Sequence, residues 1–226
     1  MTNHVERRPG DRPIVAVTMG DAAGIGPEVI AKALRDPAVG RCCRLLVIGD
    51  ARVFEDPRFA AVCDLVPVGD PDALRETLHQ PDGDGWILDQ RTLDPASIEV
   101  GRVSAQAGRA AVAAVVRAAN LALDGAVDAM STAPLHKEAI RLAGCEAIGH
   151  TEILADVTHA AHATTMLATE GLRVTHVTRH IPFREIADRI TQDRVLETIQ
   201  VTADGMRAMG FSAPRLAVAG LNPHNG

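Results

Sequence analysis

The sequence predicts an α/β protein built on a mostly parallel sheet, and three observations predict it. Apolar runs of strand length alternate with helical segments from Pro13 onward, the pattern of successive βαβ units. Hydrophobic residues make up 46% of the chain but aromatics only 2%, with no Tyr, so a core must be filled by Ala, Val, Leu and Ile, as in layered α/β proteins. The strand-like runs end in turns rich in Gly, Pro and polar residues, the places where such proteins carry their chemistry. At 226 residues the chain is long enough for one large domain or two small ones.

The elements follow in order. Residues 1–12, MTNHVERRPGDR, are polar, lack an apolar stretch of signal-peptide type and read as a lead-in. Pro13–Met19 is a β-branched apolar run and reads as a buried strand. It enters Gly20-Asp21-Ala22-Ala23-Gly24-Ile25-Gly26, after which Pro27 and Glu28 suit the first turn of a helix. That loop either offers backbone N–H groups to an anion or is a tight turn that needs glycine. Its spacing matches neither G-x-G-x-x-G nor the P-loop. Arg44–Gly49 is a second strand, Ala51–Phe59 a short helix, Val62–Val68 a third strand and Gly85–Leu88 a fourth, after the turn Pro81–Gly85.

Val103–Asp124 is the longest helix, with Ser104 as N-cap and Gly125 just past its end. The strand Val127–Ser131 leads to Ala133-Pro134, a short helix, and a polar turn at Gly149-His150-Thr151-Glu152. A helix to Thr158, strands at Ala163–Thr169 and Leu172–Val177, a short helix Pro182–Ile190 and a longer one Gln192–Met209 come next. Arg215–Leu221, RLAVAGL, is read as a last strand.

Composition excludes several functions. A net charge of −6 disfavours duplex nucleic acid and anionic membrane as partners. The scarcity of aromatics disfavours base-stacking modules. No apolar run is long enough to cross a bilayer. Cys42, Cys43, Cys63 and Cys145 form no C-x-x-C pair and read as reduced thiols of a cytoplasmic protein.

Of the nine histidines, His4, His79, His159, His162 and His176 carry no partner signal. His136 precedes Lys137 at a strand-to-helix turn, where it either caps the helix or serves a site. His150, His180 and His224 each sit at an element end beside Gly or Pro. Imidazole suits Zn²⁺, Co²⁺ and similar ions, although no two of these histidines have helical ligand spacing.

Five motifs in order, TMGDAAGIGPEVIAKAL, STAPLHKEAI, GHTEILAD, TRHIPFREIAD and AVAGLNPHNG, resemble the 4-hydroxythreonine-4-phosphate dehydrogenases of the PdxA family, from residue 13 onward. The resemblance implies a three-layer α/β/α fold related to isocitrate and isopropylmalate dehydrogenases, with two subdomains around a cleft. Residues 1–132 would form a first α/β domain, and 133–226 a substrate- and metal-binding, dimerisation domain. It implies a homodimer with a shared active site and NAD- or NADP-dependent oxidation and decarboxylation of 4-phosphohydroxy-L-threonine, on the way to pyridoxal 5'-phosphate. A divalent metal (Zn²⁺, Mg²⁺ or Co²⁺) would assist. His150 and Thr151 match the family's substrate-binding pair, and His180 and His224 match two of three metal ligands.

Two departures bear on this. Ala22 stands where the family has Pro, and Asn225-Gly226 ends the chain where the family continues with Ala-Gly-Glu. The family's later part carries the third metal-binding His and most dinucleotide contacts. The alternatives are a paralogue acting on threonate or erythronate 4-phosphate or on a dihydrodiol dicarboxylate, and a truncated chain without activity.

Overall fold

The computed structural model describes residues 12–60, 66–68, 74, 77–78 and 85–224. Residues 1–11 of the expected lead-in, Cys63, His79, residues 81–84 of the expected turn Pro81–Gly85, and the terminal Asn225 and Gly226 lie outside the described residues. The chain divides into two compact units, residues 1–159 and 160–226.

The first unit is a five-stranded, wholly parallel sheet. Its strands are β1 (Ile14–Thr18), β2 (Arg44–Gly49), β3 (Val66–Val68), β4 (Gly85–Asp89) and β5 (Ala129–Thr132), in the order β3-β4-β2-β1-β5. Parallel strands need crossover helices, and those helices cover both faces; hence the strands read as continuous apolar runs. Side chains alternate between two cores, as the period of two requires. Ile14, Ala16, Leu46, Ile48, Trp86 and Leu88 pack on one face, with Ala114, Ala118 and Leu121 of α5 (Ala105–Leu123). Val17, Val47 and Ile87 pack on the other, against Ile30 of α1 (Gly26–Arg35), Val53 of α3 (Ala51–Phe54) and Phe59 of α4 (Pro57–Ala60). The result is three layers, α/β/α.

The caps follow the sequence. Asp36 accepts from the Ala38 N–H at the start of α2 (Pro37–Cys42), and Ser104 accepts from the Ala107 N–H at 3.1 Å, opening α5. Gly125 closes α5 with a φ of 68°. The helix expected over Ala51–Phe59 is two short helices, because Glu55 and Asp56 end α3 and Asp56 accepts from the Arg58 N–H to begin the next turn. Cys42, Cys43 and Cys145 are free thiols.

Two further helices, α6 (Lys137–Leu142) and α7 (His150–Thr158), pack on α5. At Gly108 a Cβ would lie 2.1 Å from the Ala139 carbonyl oxygen, so this approach of α5 and α6 admits only glycine. These packings put residues 133–159 in the first compact unit.

The second unit pairs β6 (Met166–Thr169) with β7 (Leu172–Thr175) as an antiparallel hairpin, within the strands expected at Ala163–Thr169 and Leu172–Val177. The two-residue connection Glu170-Gly171, with Gly171 at a φ of 75°, fits a hairpin and is too short for a crossover. A 3₁₀ turn (Phe183–Glu185) and α8 (Ile186–Arg189) replace the single helix expected over Pro182–Ile190, and α9 (Gln192–Ala208) follows.

Arg215–Leu221 is not a strand. Its apolar alternation has no neighbouring strand among the described residues, and Leu216, Val218 and Leu221 are 42%, 62% and 64% exposed. A strand exists through its ladder; the side-chain pattern alone does not make one. Every fully buried hydrophobic side chain among the described residues lies between Ile14 and Ile153; the buried residues of the second unit are Thr198 and Thr202.

Candidate functional site

The strand order fixes where a ligand site belongs in the first unit. Chain connections from β1 lead to β2 on one side, whereas β5 lies on its other side, so the winding reverses at β1. Open α/β sheets bind ligands outside the carboxyl ends of the strands at such a switch point. Here the carboxyl ends of β1 and β5 are in register, Thr18 beside Thr132. The loop after β1 and the turn after β5 are joined by the Asp21 N–H, which donates to the Pro134 carbonyl at 3.0 Å.

The loop itself is a built turn. The Asp21 carboxylate accepts from the Ala23 N–H at 2.9 Å, and its backbone carbonyl accepts from the Gly24 N–H at 3.0 Å. Two of the amides that an anion would need are thus satisfied within the loop, which favours the tight-turn reading. Gly20 has a φ of 70°, and a Cβ there would meet the Pro134 oxygen at 2.4 Å; at Gly26 a Cβ would meet the Met19 oxygen at 2.1 Å. Beside this loop is a cavity of about 410 Å³, lined among others by Gly24, Arg52, Val53, Arg58, Phe59 and Val100. Its arginines are already engaged: Arg52 grips the buried Asp50 with two nitrogens, and Arg58 pairs with Asp56 at 2.7 Å.

After β5, His136 occupies the N-cap position of α6, but its side chain makes no capping hydrogen bond, and the ring is exposed. His150 is the first residue of α7 and Thr151 the second, both half-buried. Nε2 of His150 is enclosed and has no hydrogen-bond partner among the described residues. Burial holds its imidazole below the usual histidine pKa. Buried polar atoms are ordinarily paired, so this Nε2 is an unspent hydrogen-bonding atom at a helix start.

In the second unit, His180 and His224 both lie on exposed turns. His180 has a φ of 53°, in the left-handed region that is uncommon for residues other than glycine. Such outliers gather at functional sites. Nothing in the His180 sequence context signals it; the strain is visible only in three dimensions. The His224 N–H donates to the Asn222 side-chain oxygen at 3.1 Å, an Asx turn that sets the NPH motif. The two imidazoles have the donor chemistry for a divalent ion. They fall short of the three protein donors of a catalytic zinc site, and among the described residues no three His, Cys, Asp or Glu side chains converge. The expected pairs therefore divide between the units: His150 and Thr151 in the first, His180 and His224 in the second.

Sequence reasoning passed over Thr18 and Gln90. Thr18 ends β1 after Val17 and Gln90 follows Asp89 at the end of β4, and each has a buried oxygen with no partner among the described residues. For Thr18, a polar residue late in an apolar run was the available signal.

Comparison with known proteins agrees with this geometry. The family model "Pyridoxal phosphate biosynthetic protein PdxA" matches residues 41–226. The D-threonate 4-phosphate dehydrogenase of Salmonella typhimurium is 40% identical over 94% of this chain, and the 4-hydroxythreonine-4-phosphate dehydrogenase of Desulforapulum autotrophicum is 40% identical over 96%. The chain spans 64% and 63% of the lengths of these two relatives. The crystal structure of a 4-hydroxythreonine-4-phosphate dehydrogenase from Klebsiella pneumoniae superposes with a TM-score of 0.82 at 39% identity, over 95% of this chain and 64% of that one. The chain therefore belongs to the pyridoxal phosphate biosynthetic PdxA family.

Proposed function

We propose that the protein serves NAD(P)-dependent oxidation of a phosphorylated four-carbon hydroxy acid, followed by loss of CO₂. The observation that carries this reading is His150: a half-buried, neutral imidazole with an enclosed, unpartnered Nε2 at the start of α7, next to the Thr151 hydroxyl. A neutral imidazole and a hydroxyl can each donate or accept a hydrogen bond, which suits a substrate rich in hydroxyl and carboxylate oxygens. Family membership supports the reaction class, because the relatives named above are dehydrogenases of threonate and hydroxythreonine phosphates.

D-Threonate 4-phosphate is the first candidate substrate and 4-phosphohydroxy-L-threonine the second. The 40% identity to both kinds of relative supports testing them side by side. NAD(P) would supply the hydride acceptor. His180 and His224 are proposed as two ligands of a divalent ion, a reading supported by their imidazole chemistry and by the strained backbone at His180. His180 and His224 would hold such an ion, which would supply Lewis-acid stabilisation of developing negative charge.

A homodimer is proposed as the working assembly. Support comes from the second unit, which leaves Leu167, Leu172 and Leu196 half-exposed or more. No helix among the described residues is long and apolar enough to cross a membrane.

The test is steady-state reduction of NAD⁺ and NADP⁺ by the natively expressed protein with each of the two phosphates, beside His150→Ala. Turnover with either phosphate that His150→Ala reduces through a raised KM supports the reading. No reduction with either substrate, at any divalent ion supplied, contradicts it.

A further inference from the structure

We infer that Arg194 is a positioning residue, fixing the segment Val177–His180 from helix α9. The inference rests on the reading of His180 as a site residue. Strand β7 ends at Thr175, and the segment beyond it has no ladder of its own. It must nevertheless hold His180 in the left-handed region. Two arginines tie it down. Arg179, adjacent to His180, donates through Nη1 to the Thr165 hydroxyl at the entrance to β6. Arg194, half-buried on α9, donates through Nε to the Val177 carbonyl at 3.1 Å.

Arg194 is itself held. Its Nη1 donates to Glu197 Oε2 at 2.7 Å, one turn along the helix. The other carboxylate oxygen, Oε1, meets Nδ1 of His162. A planar guanidinium whose Nη1 is fixed by a carboxylate has its Nε–H direction fixed too, so the Val177 carbonyl is aimed as well as bonded. A lysine at this position carries the charge but presents a single nitrogen. It cannot serve the carbonyl and the carboxylate in that fixed fork geometry.

A second contact between α9 and the hairpin separates positioning from mere support. The Thr175 and Thr202 hydroxyls lie 3.0 Å apart, two turns further along the helix. Thr202→Val therefore loosens the same seam without touching Val177, and serves as the control for a purely structural effect.

The experiment compares Arg194→Lys, Thr202→Val and His180→Ala in the natively expressed protein. It reads amide hydrogen exchange over residues 177–181, Co²⁺ affinity by equilibrium dialysis, and melting temperature. Arg194→Lys is expected to speed exchange at 177–181 about tenfold and to weaken Co²⁺ binding by a similar factor, the scale of one charge-assisted hydrogen bond. Thr202→Val is expected to lower the melting temperature with exchange at 177–181 and Co²⁺ affinity unchanged. Wild-type exchange in Arg194→Lys overturns the inference. If His180→Ala keeps full Co²⁺ affinity, the metal reading of His180 falls, and the exchange result alone then decides whether Arg194 fixes the segment.

Discussion

The Asp21 N–H and the Pro134 carbonyl oxygen, 3.0 Å apart, tie the turn after β1 to the turn after β5 at the point where the sheet reverses its winding. The bond is possible because Gly20 brings its backbone so close that a Cβ would lie 2.4 Å from the same oxygen. Gly20→Ala combines a left-handed φ with that clash. We expect it to destabilise the fold by about 1–3 kcal/mol, on the scale of local backbone strain, and to lower the melting temperature. An unchanged melting temperature would show that the two turns are not locked together.

His150 links stability to pH. Its folded pKa lies below the ordinary 6.5 because burial penalises the charged ring. The unfolded chain therefore takes up a proton first as pH falls. The contribution of His150 is whole above about pH 6.5 and is lost progressively as pH drops from 6.5 toward the lowered folded value. Melting temperatures of the protein and of His150→Gln should thus diverge less in acid than at neutral pH, with the wild type losing its advantage. A constant difference across that window would contradict the burial argument.

Asp56 acts in the opposite range. Its side-chain hydrogen bond to Arg58, with a backbone bond from the same residue, holds its carboxyl down to about 2 from an ordinary 3.8. That contribution is present above pH 3.8 and disappears between 3.8 and about 2. Asp56→Asn should flatten the acid limb of the stability profile in that window and leave the profile near neutral pH parallel to the wild type.

Two histidines in left-handed conformations should respond differently to glycine. His159, φ 51°, closes α7 by sending its N–H back to Asp156, a position where glycine is ordinarily preferred. His159→Gly should gain about 1 kcal/mol and leave activity untouched. His180→Gly, relieving a φ of 53°, should gain a similar amount while losing metal affinity and turnover. Equal activity in both variants would remove His180 from the proposed site.

Much of the first unit was legible in the sequence because its strands β1, β2 and β4 are largely buried on both faces. Arg44–Gly49 reads as a strand from its apolar run alone, and it is one over those same residues. Ser104 and Gly125 mark the ends of the long helix through local hydrogen bonding and φ, both of which a sequence encodes directly. Arg215–Leu221 failed for the opposite reason. Its pattern suits a strand, but pairing is a property of a neighbour, and none is present among the described residues. The enclosed Nε2 of His150 and the backbone strain of His180 likewise depend on packing and dihedral angles that no spacing rule reports. The same holds for the Arg194 contact to Val177, which joins residues 17 positions apart.

The most direct test of the central claim is NAD(P)⁺ reduction by the natively expressed protein with D-threonate 4-phosphate, measured beside His150→Ala and His180→Ala. The account predicts turnover in the wild type, a raised KM in His150→Ala and, through a lost ligand, a fall of several kcal/mol in transition-state stabilisation in His180→Ala. Wild-type kinetics in both variants would contradict the assignment of these two histidines to the site.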